Sequence, residues 1–123
     1  MAHEQEKVKA LFAKLKQAPL YKFPLARERL IAPGGRGVYV IYGPKRRIAH
    51  VGRTPRAAGG IAQRLRNHMA GKSSFTRMQL DRDGSLLRGR YSYRYLVVKS
   101  PRLRALLEAY AIGVLCPKHI GTG

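Results

Sequence analysis

Residues 37–54 read GVYVIYGPKRRIAHVGRT, and they leave the chain few choices. Two short apolar runs, about 37–43 and 47–52, flank a Gly-Pro pair and three basic residues, which predicts a β-hairpin turning at GPKRR. Tyr39 sits in the first run and His50 in the second. Side chains alternate along a strand, so the parity of the turn decides whether the two rings meet. An even turn puts them on one face and nearly opposite each other; an odd turn puts them on opposite faces. The pair is then either a reaction centre or a packed core aromatic beside an edge histidine, because buried Tyr and His are common.

The 123 residues are enough for one domain with a real core. In EQEKVKALFAKLKQ, Val8, Leu11, Phe12 and Leu15 recur at helical spacing, which predicts an amphipathic helix over 4–17 ended by Pro19. Its glutamates come first and its lysines last, as the helix dipole favours. Residues 19–36, with prolines and APGGR, read as a connector with room for one helical turn around 25–30. GIAQRLRNHMA predicts a helix over 60–70 with Ile61, Leu65 and Met69 as its core stripe. Ser73 or Ser74 can cap a short helix to about 80, and DRDG reads as a turn. YSYRYLVV predicts a third strand over 91–98. Pro101 after Ser100 opens a last helix over 101–115, and PKHIGTG is a loop. The expected class is α+β: a small three-stranded antiparallel sheet flanked by helices, with an extra N-terminal amphipathic helix. Residues 1–35 are expected to pack as helix and connector on a domain of residues 36–123.

Charge narrows the partner. Against 25 Lys+Arg stand 6 Asp+Glu, a formal +19. Such a field favours a polyanion, because bound phosphates release condensed counterions. Nucleic acid is the expected partner; an anionic membrane surface and a merely solvated basic surface are the alternatives. Cys116, the one cysteine, excludes an internal disulfide and a Cys-based zinc finger. It suits a reducing cytoplasm. The N-terminal stretch is charged throughout, so no signal peptide is expected, and no apolar run approaches a membrane span.

Three further residues carry chemistry. Arg64 and His68 lie four apart and share a helix face one residue off the apolar stripe, at the edge of the core. An Arg there can clamp a phosphate with paired hydrogen bonds, and a nearby His can donate to it or move a proton; the alternative is a solvent-facing basic helix. Glu108 stands alone in the apolar LRALLEAYAIGVL. A carboxylate on an apolar face needs a compensating cation. Arg104, one turn earlier, is one choice; Mg²⁺, which binds through one or two carboxylates plus water and phosphate, is the other. Together Tyr39, His50, Arg64, His68 and Glu108 supply a proton acceptor, a phosphate clamp and a metal ligand, the needs of metal-assisted phosphodiester hydrolysis.

GVY at 37–39, HVG at 50–52, Arg64 with His68 behind it, and Glu108 in a late apolar helix followed by Pro117 resemble the GIY-YIG nuclease family over roughly residues 36–120. The resemblance implies a three-stranded antiparallel sheet flanked by helices and a DNA endonuclease using one divalent metal, Mg²⁺ or Mn²⁺. It implies that Tyr39 is the general base or positions the attacking water, that Arg64 stabilises the phosphate in the transition state, and that Glu108 is the single metal ligand. Gly37 and Gly52 match the motif glycines, and His68 a polar position one turn beyond the arginine. His50 stands where the family has its second tyrosine, and an imidazole there can accept or relay a proton near neutral pH. Ile120 stands where the family often has Asn in Pro-x-x-Asn. Lys45, Arg46, Arg47, Arg53 and Arg56, with Arg66 and Lys72, are expected to hold the DNA backbone, or RNA in its place. The alternative is a catalytically inactive DNA- or RNA-binding module of the same fold, for which Glu108 is the discriminating residue. A homodimer would set one site on each strand; the sequence does not choose between monomer and dimer.

Overall fold

The computed structural model describes residues 2–55 and 59–120. Helix α1 (Ala2–Gln17) buries Val8, Phe12 and Leu15, the expected stripe. Strand β1 (Tyr21–Lys22) follows, then β2 (Gly37–Tyr42), β3 (Ile48–Arg53), α2 (Ile61–Met69), α3 (Ser74–Gln79), β4 (Ser92–Val97) and α4 (Pro101–Leu115). The class is α+β. The sheet is antiparallel with four strands in the order β1-β4-β2-β3, not the three expected. The extra strand comes from the connector, where Tyr21 and Lys22 pair with Tyr93 and Ser92. A two-residue strand has no period to read, which is why the sequence hides it. The helical turn expected around 25–30 is a reverse turn instead, closed by Glu28 N–H on the Leu25 carbonyl and by Leu25 N–H on the Glu28 carboxylate.

β2 is central and buried on both faces, as its unbroken apolar run requires. On one face Tyr39, Ile41 and Tyr93 pack with Ile61 and Leu65 of α2, Phe75 of α3, and Phe23, Leu80 and Leu87. On the other, Val38, Val40 and Val51 pack with Phe12 and Leu15 of α1 and Leu107 and Ala111 of α4. The sheet is thus sandwiched between two pairs of helices.

The hairpin's parity is settled by two irregularities. Tyr42 pairs with Ile48, leaving the five residues 43–47 as the loop, an odd number. That would separate Tyr39 from His50. Beyond it, however, Ile41 pairs with His50, so Ala49 is an extra residue, a β-bulge. The bulge restores the parity, and both rings share one face. They are diagonal neighbours and not opposite: Tyr39 faces Gly52, and His50 faces Ile41. Lys45 and Arg46 at the hairpin tip adopt left-handed φ of 61° and 58°.

The short helices end as their residues dictate. Of the two candidate caps for α3, Ser73 is used: its side chain accepts the Thr76 N–H, and the Thr76 side chain accepts the Ser73 N–H. Ser100 caps α4, with Pro101 in its first turn. In α2 the buried stripe is rotated by about one residue from the expected one. His68 is fully buried, while Met69 is only partly so, because α2 lies with its last turn against Phe75. No helix among the described residues is long and apolar enough to cross a membrane.

α1 is part of the core, so shortening one of its anchors tests that packing. Leu15 has no exposed surface, and Leu15→Ala is expected to lower unfolding stability by about 3 kcal/mol, read by urea denaturation. A loss under about 1 kcal/mol would mean that α1 does not hold the sheet.

Candidate functional site

A cleft of about 970 Å³ opens at the β3 edge of the sheet, between the last turn of α2, the start of α3 and α4. Tyr39, His50, Arg64, His68 and Glu108 all line it. The sheet face explains how a core residue reaches it. Tyr39 crosses the ladder from Gly52, and a Cβ added at Gly52 would collide with the Tyr39 ring and hydroxyl. With no side chain in the way, the phenol lies over β3 and brings its oxygen to the edge. Glu108 reaches the same edge from α4, on the other face of the sheet.

The phenol is hydrogen-bonded to His68: Oη and Nε2 are 2.7 Å apart. Nδ1 of His68 is 2.6 Å from Ser73 Oγ, which in turn lies 3.0 Å from Thr76 Oγ1. A buried polar chain therefore runs inward from the cleft. Burial pushes the Tyr39 pKa up to about 12; the nearby Arg64 guanidinium opposes this and the charge of Glu108 adds to it. Near neutral pH the phenol keeps its proton, so it can take a second only by passing its own onward. Burial, with the charges of His50, Arg64 and His119, holds His68 well below the ordinary histidine range. His68 belongs to the core and not, as expected, to its edge.

His50 stacks on Phe75, with ring centroids 5.2 Å apart and 12° between planes. It is buried and its Nδ1 has no hydrogen-bond partner. Burial, then the charge of His119, lowers its pKa to about 4, against a raising contact from the His119 backbone. Desolvation makes His50 a weaker base than a free imidazole, and His68 is held low in the same way. What separates the two is contact: His68, and not His50, is hydrogen-bonded to Tyr39.

Glu108 does not pair with Arg104. The Arg104 guanidinium is buried and donates to the carbonyls of Val98 and Lys99, at 3.1 and 2.9 Å. Glu108 instead meets Arg53 across β3, with Oε1 3.6 Å from Nε. Burial raises the Glu108 pKa, and the charges of Arg53 and Arg64 pull it back. No group of three His, Cys, Asp or Glu side chains among the described residues is placed to hold a metal. One half-buried carboxylate open to the cleft fits a cation such as Mg²⁺ only with water and substrate phosphate as the remaining ligands.

The basic residues divide. Arg53 and Lys72 line the cleft, as do Arg64, Arg77, Arg102 and Arg104. Arg102 is tied to Glu4 of α1 by two hydrogen bonds of 2.7 and 3.0 Å. Lys45, Arg46 and Arg47 are exposed at the hairpin tip, the end of β3 away from Arg53, and Arg66 faces away on α2; none of the four lines the cleft. The tip turns at Tyr42, three residues along β2 from Tyr39, so these side chains stand apart from the cleft groups. Arg56 lies outside the described residues. Sequence reasoning passed over His119. Its backbone N–H bonds to the bulge residue Ala49, extending the β3 edge, and its Nε2 lies 3.2 Å from Ser74 Oγ. Only the tail's fold-back brings it there, so no local pattern signals it. Ile120 beside it lines the cleft.

The buried imidazoles predict acid sensitivity. A histidine with its folded pKa depressed contributes stability that is complete above its unfolded value of 6.5 and is lost as pH falls towards the folded value. His50, lowered from 6.5 to about 4, accounts for about 3 kcal/mol of loss over that interval, and His68 acts in the same direction. Urea unfolding at steps from pH 7.5 to 4 measures it. His50→Leu is expected to flatten the slope, and a wild-type curve level from pH 6.5 to 4 would mean that these rings are hydrated.

Set beside known proteins, the chain matches no family model and no curated protein.

Proposed function

We propose that the chain is a metal-dependent endonuclease that hydrolyses phosphodiester bonds of DNA, with a site of the GIY-YIG type, acting in the cytoplasm. The observation that supports this reading is the convergence of Tyr39, Arg64, His68 and Glu108, from one strand and two helices, on one basic cleft. These residues are far apart in sequence, and a packing role does not require a phenol, an imidazole, a guanidinium and a carboxylate to share one opening. The charge of +19 supplies affinity for the backbone.

In this reading Arg64 clamps the nonbridging oxygens of the scissile phosphate. Its Nε is buried without a partner, so the substrate satisfies a group the free protein leaves unpaired. Tyr39 accepts a proton from the attacking water and hands its own to His68. His50, uncharged and stacked on Phe75, walls the site and holds water away from the relay. A divalent cation on Glu108 would compensate the charge that develops on the phosphate and the leaving oxygen. Arg53 holds Glu108 in the free protein, and an incoming phosphate draws Arg53 off the carboxylate.

Cleavage of supercoiled plasmid and of labelled single- and double-stranded DNA, with Mg²⁺, Mn²⁺ or EDTA, tests the reading. Metal-dependent cutting is expected, and Glu108→Ala and Tyr39→Phe each lower kcat by about 100-fold or more with gel-shift binding kept. Tight binding without cutting of any DNA or RNA tried, branched forms included, would favour the inactive binding module.

The Arg53 contact carries its own prediction. Arg53→Gln is expected to tighten Mn²⁺ binding to the DNA-free protein about fivefold, the worth of a partly exposed ion pair, read by the electron-spin signal of free Mn²⁺. Unchanged binding would show that Arg53 does not compete for Glu108.

A further inference from the structure

We infer that Ser73 and Thr76, at the start of α3, fix the tautomer of His68 and thereby make Tyr39 a directional proton relay. The inference rests on the nuclease reading for its consequence, but on hydrogen counting for its substance. Ser73 and Thr76 are positioning residues here: neither reaches the phosphate, and both act through His68.

The Thr76 hydroxyl has one proton, and it goes to the Ser73 carbonyl, 3.0 Å away. The Ser73 N–H donates to Thr76 Oγ1 and the Thr76 N–H donates to Ser73 Oγ, both at 3.2 Å. The two hydroxyl oxygens lie 3.0 Å apart. Since the Thr76 proton is already committed, the bond between them uses the proton of Ser73. The Ser73 oxygen then has only lone pairs to offer His68, and the 2.6 Å contact is one in which Nδ1–H donates. In the opposite choice, Ser73 donates to a bare Nδ1 and the single Thr76 proton must serve either the Ser73 carbonyl, which also accepts the Arg77 N–H, or the Ser73 oxygen, so the buried network has one hydrogen bond fewer. With the proton on Nδ1, Nε2 is bare, and Tyr39 O–H donates to it across 2.7 Å. The lone pairs of the phenol oxygen are left facing the cleft.

The step balances in protons. A water O–H bond breaks as its proton moves to Tyr39 Oη, the Tyr39 O–H bond breaks as its proton moves to His68 Nε2, the hydroxide oxygen bonds to phosphorus as the opposite P–O ester bond breaks, and the leaving oxygen takes a proton from solvent water. His68 becomes an imidazolium whose Nδ1–H still rests on Ser73, and it later returns its proton to solvent through the same phenol. The other tautomer cannot do this, because an Nε2–H facing Tyr39 has no lone pair to receive a proton. His68, Ser73 and Thr76 are almost fully buried, so on the inner side of the phenol no water substitutes for the missing acceptor.

Long-range ¹H–¹⁵N NMR of the metal-free protein reads the tautomer directly, without cleavage. Wild type is expected to carry the proton on Nδ1. Thr76→Val keeps the shape but removes the acceptor of the Ser73 proton, freeing that proton to turn to Nδ1; the Nε2–H form should then predominate. In cleavage assays Thr76→Val should lower kcat by about 100-fold with KM unchanged, the cost of a wrong tautomer, while Thr76→Ser, which keeps the hydroxyl, restores both readouts. An Nε2–H tautomer in wild type, or a tautomer unmoved in folded Thr76→Val, would overturn the inference; the wild-type spectrum decides even if Thr76→Val does not fold. A wild-type chain with Nδ1–H that cuts no substrate would overturn the nuclease reading, and the relay with it, while leaving the tautomer assignment intact.

Discussion

The contact between the Tyr39 ring and the bare backbone of Gly52 organises the cleft. A buried strand has two places to put a tyrosine, inside the core or out in solvent, and neither gives its hydroxyl a reaction partner. Removing the side chain from the residue across the ladder creates a third. The ring stays in the core, where its apolar body is stabilised, and the oxygen emerges at the sheet edge. Everything else in the site is arranged around that oxygen. His68 approaches it from α2, with Arg64 beside it. Glu108 faces it from the helix on the other side of the sheet. The site thus straddles the sheet edge and uses both helical layers.

Much of this architecture is written locally. The helical stripe of α1, the caps at Ser73 and Ser100, the hairpin runs and the apolar period of β4 all follow from periodicity and turn chemistry. Five residues of the cleft, Tyr39, His50, Arg64, His68 and Glu108, can also be picked out, because each is a polar group beside an apolar run. Their partners cannot. For Glu108 the sequence offers Arg104, one helical turn earlier, and gives no sign of Arg53. The choice of Arg53 depends on Arg104 being drawn to the carbonyls that end β4, a tertiary matter. His50 looks like a near-neutral base in sequence because its character there is that of a free imidazole; stacked under cover on Phe75 it loses that character. β1 is too short to have a pattern, and His119 arrives only when the tail folds back.

The cleft carries both charge and neutral groups. Basic side chains at the hairpin tip and on the outer face of α2 add positive potential to that of Arg53, Arg64, Lys72 and Arg77 in the cleft, while Tyr39, His50 and His68 are uncharged near neutral pH. Arg64 is the cation directed at the reaction centre, with Arg53 held in reserve on Glu108. In the proposed nuclease, long-range attraction would come from residues whose individual positions matter little, and selectivity for the bond to be cut from a few whose positions matter greatly.

The bulge at Ala49 has a consequence for how this chain tolerates insertions and deletions. A strand whose register is set by its turn transmits every change of turn length to the far end. Here the loop and the bulge are two places ahead of the site where a residue can be gained or lost. Two residues added at the exposed tip leave the face of each downstream side chain as it was. Loss of Ala49 removes only the extra residue: the pair of Tyr42 and Ile48 then runs straight on to that of Ile41 and His50, and Tyr39 still faces Gly52. Loss of a residue beyond the bulge, such as Val51, instead puts Arg53 across from Tyr39 and closes the opening through which the phenol reaches the cleft. Lineages of this protein would therefore be free to vary the tip and the bulge in length while the stretch from His50 to Gly52 stays fixed in count.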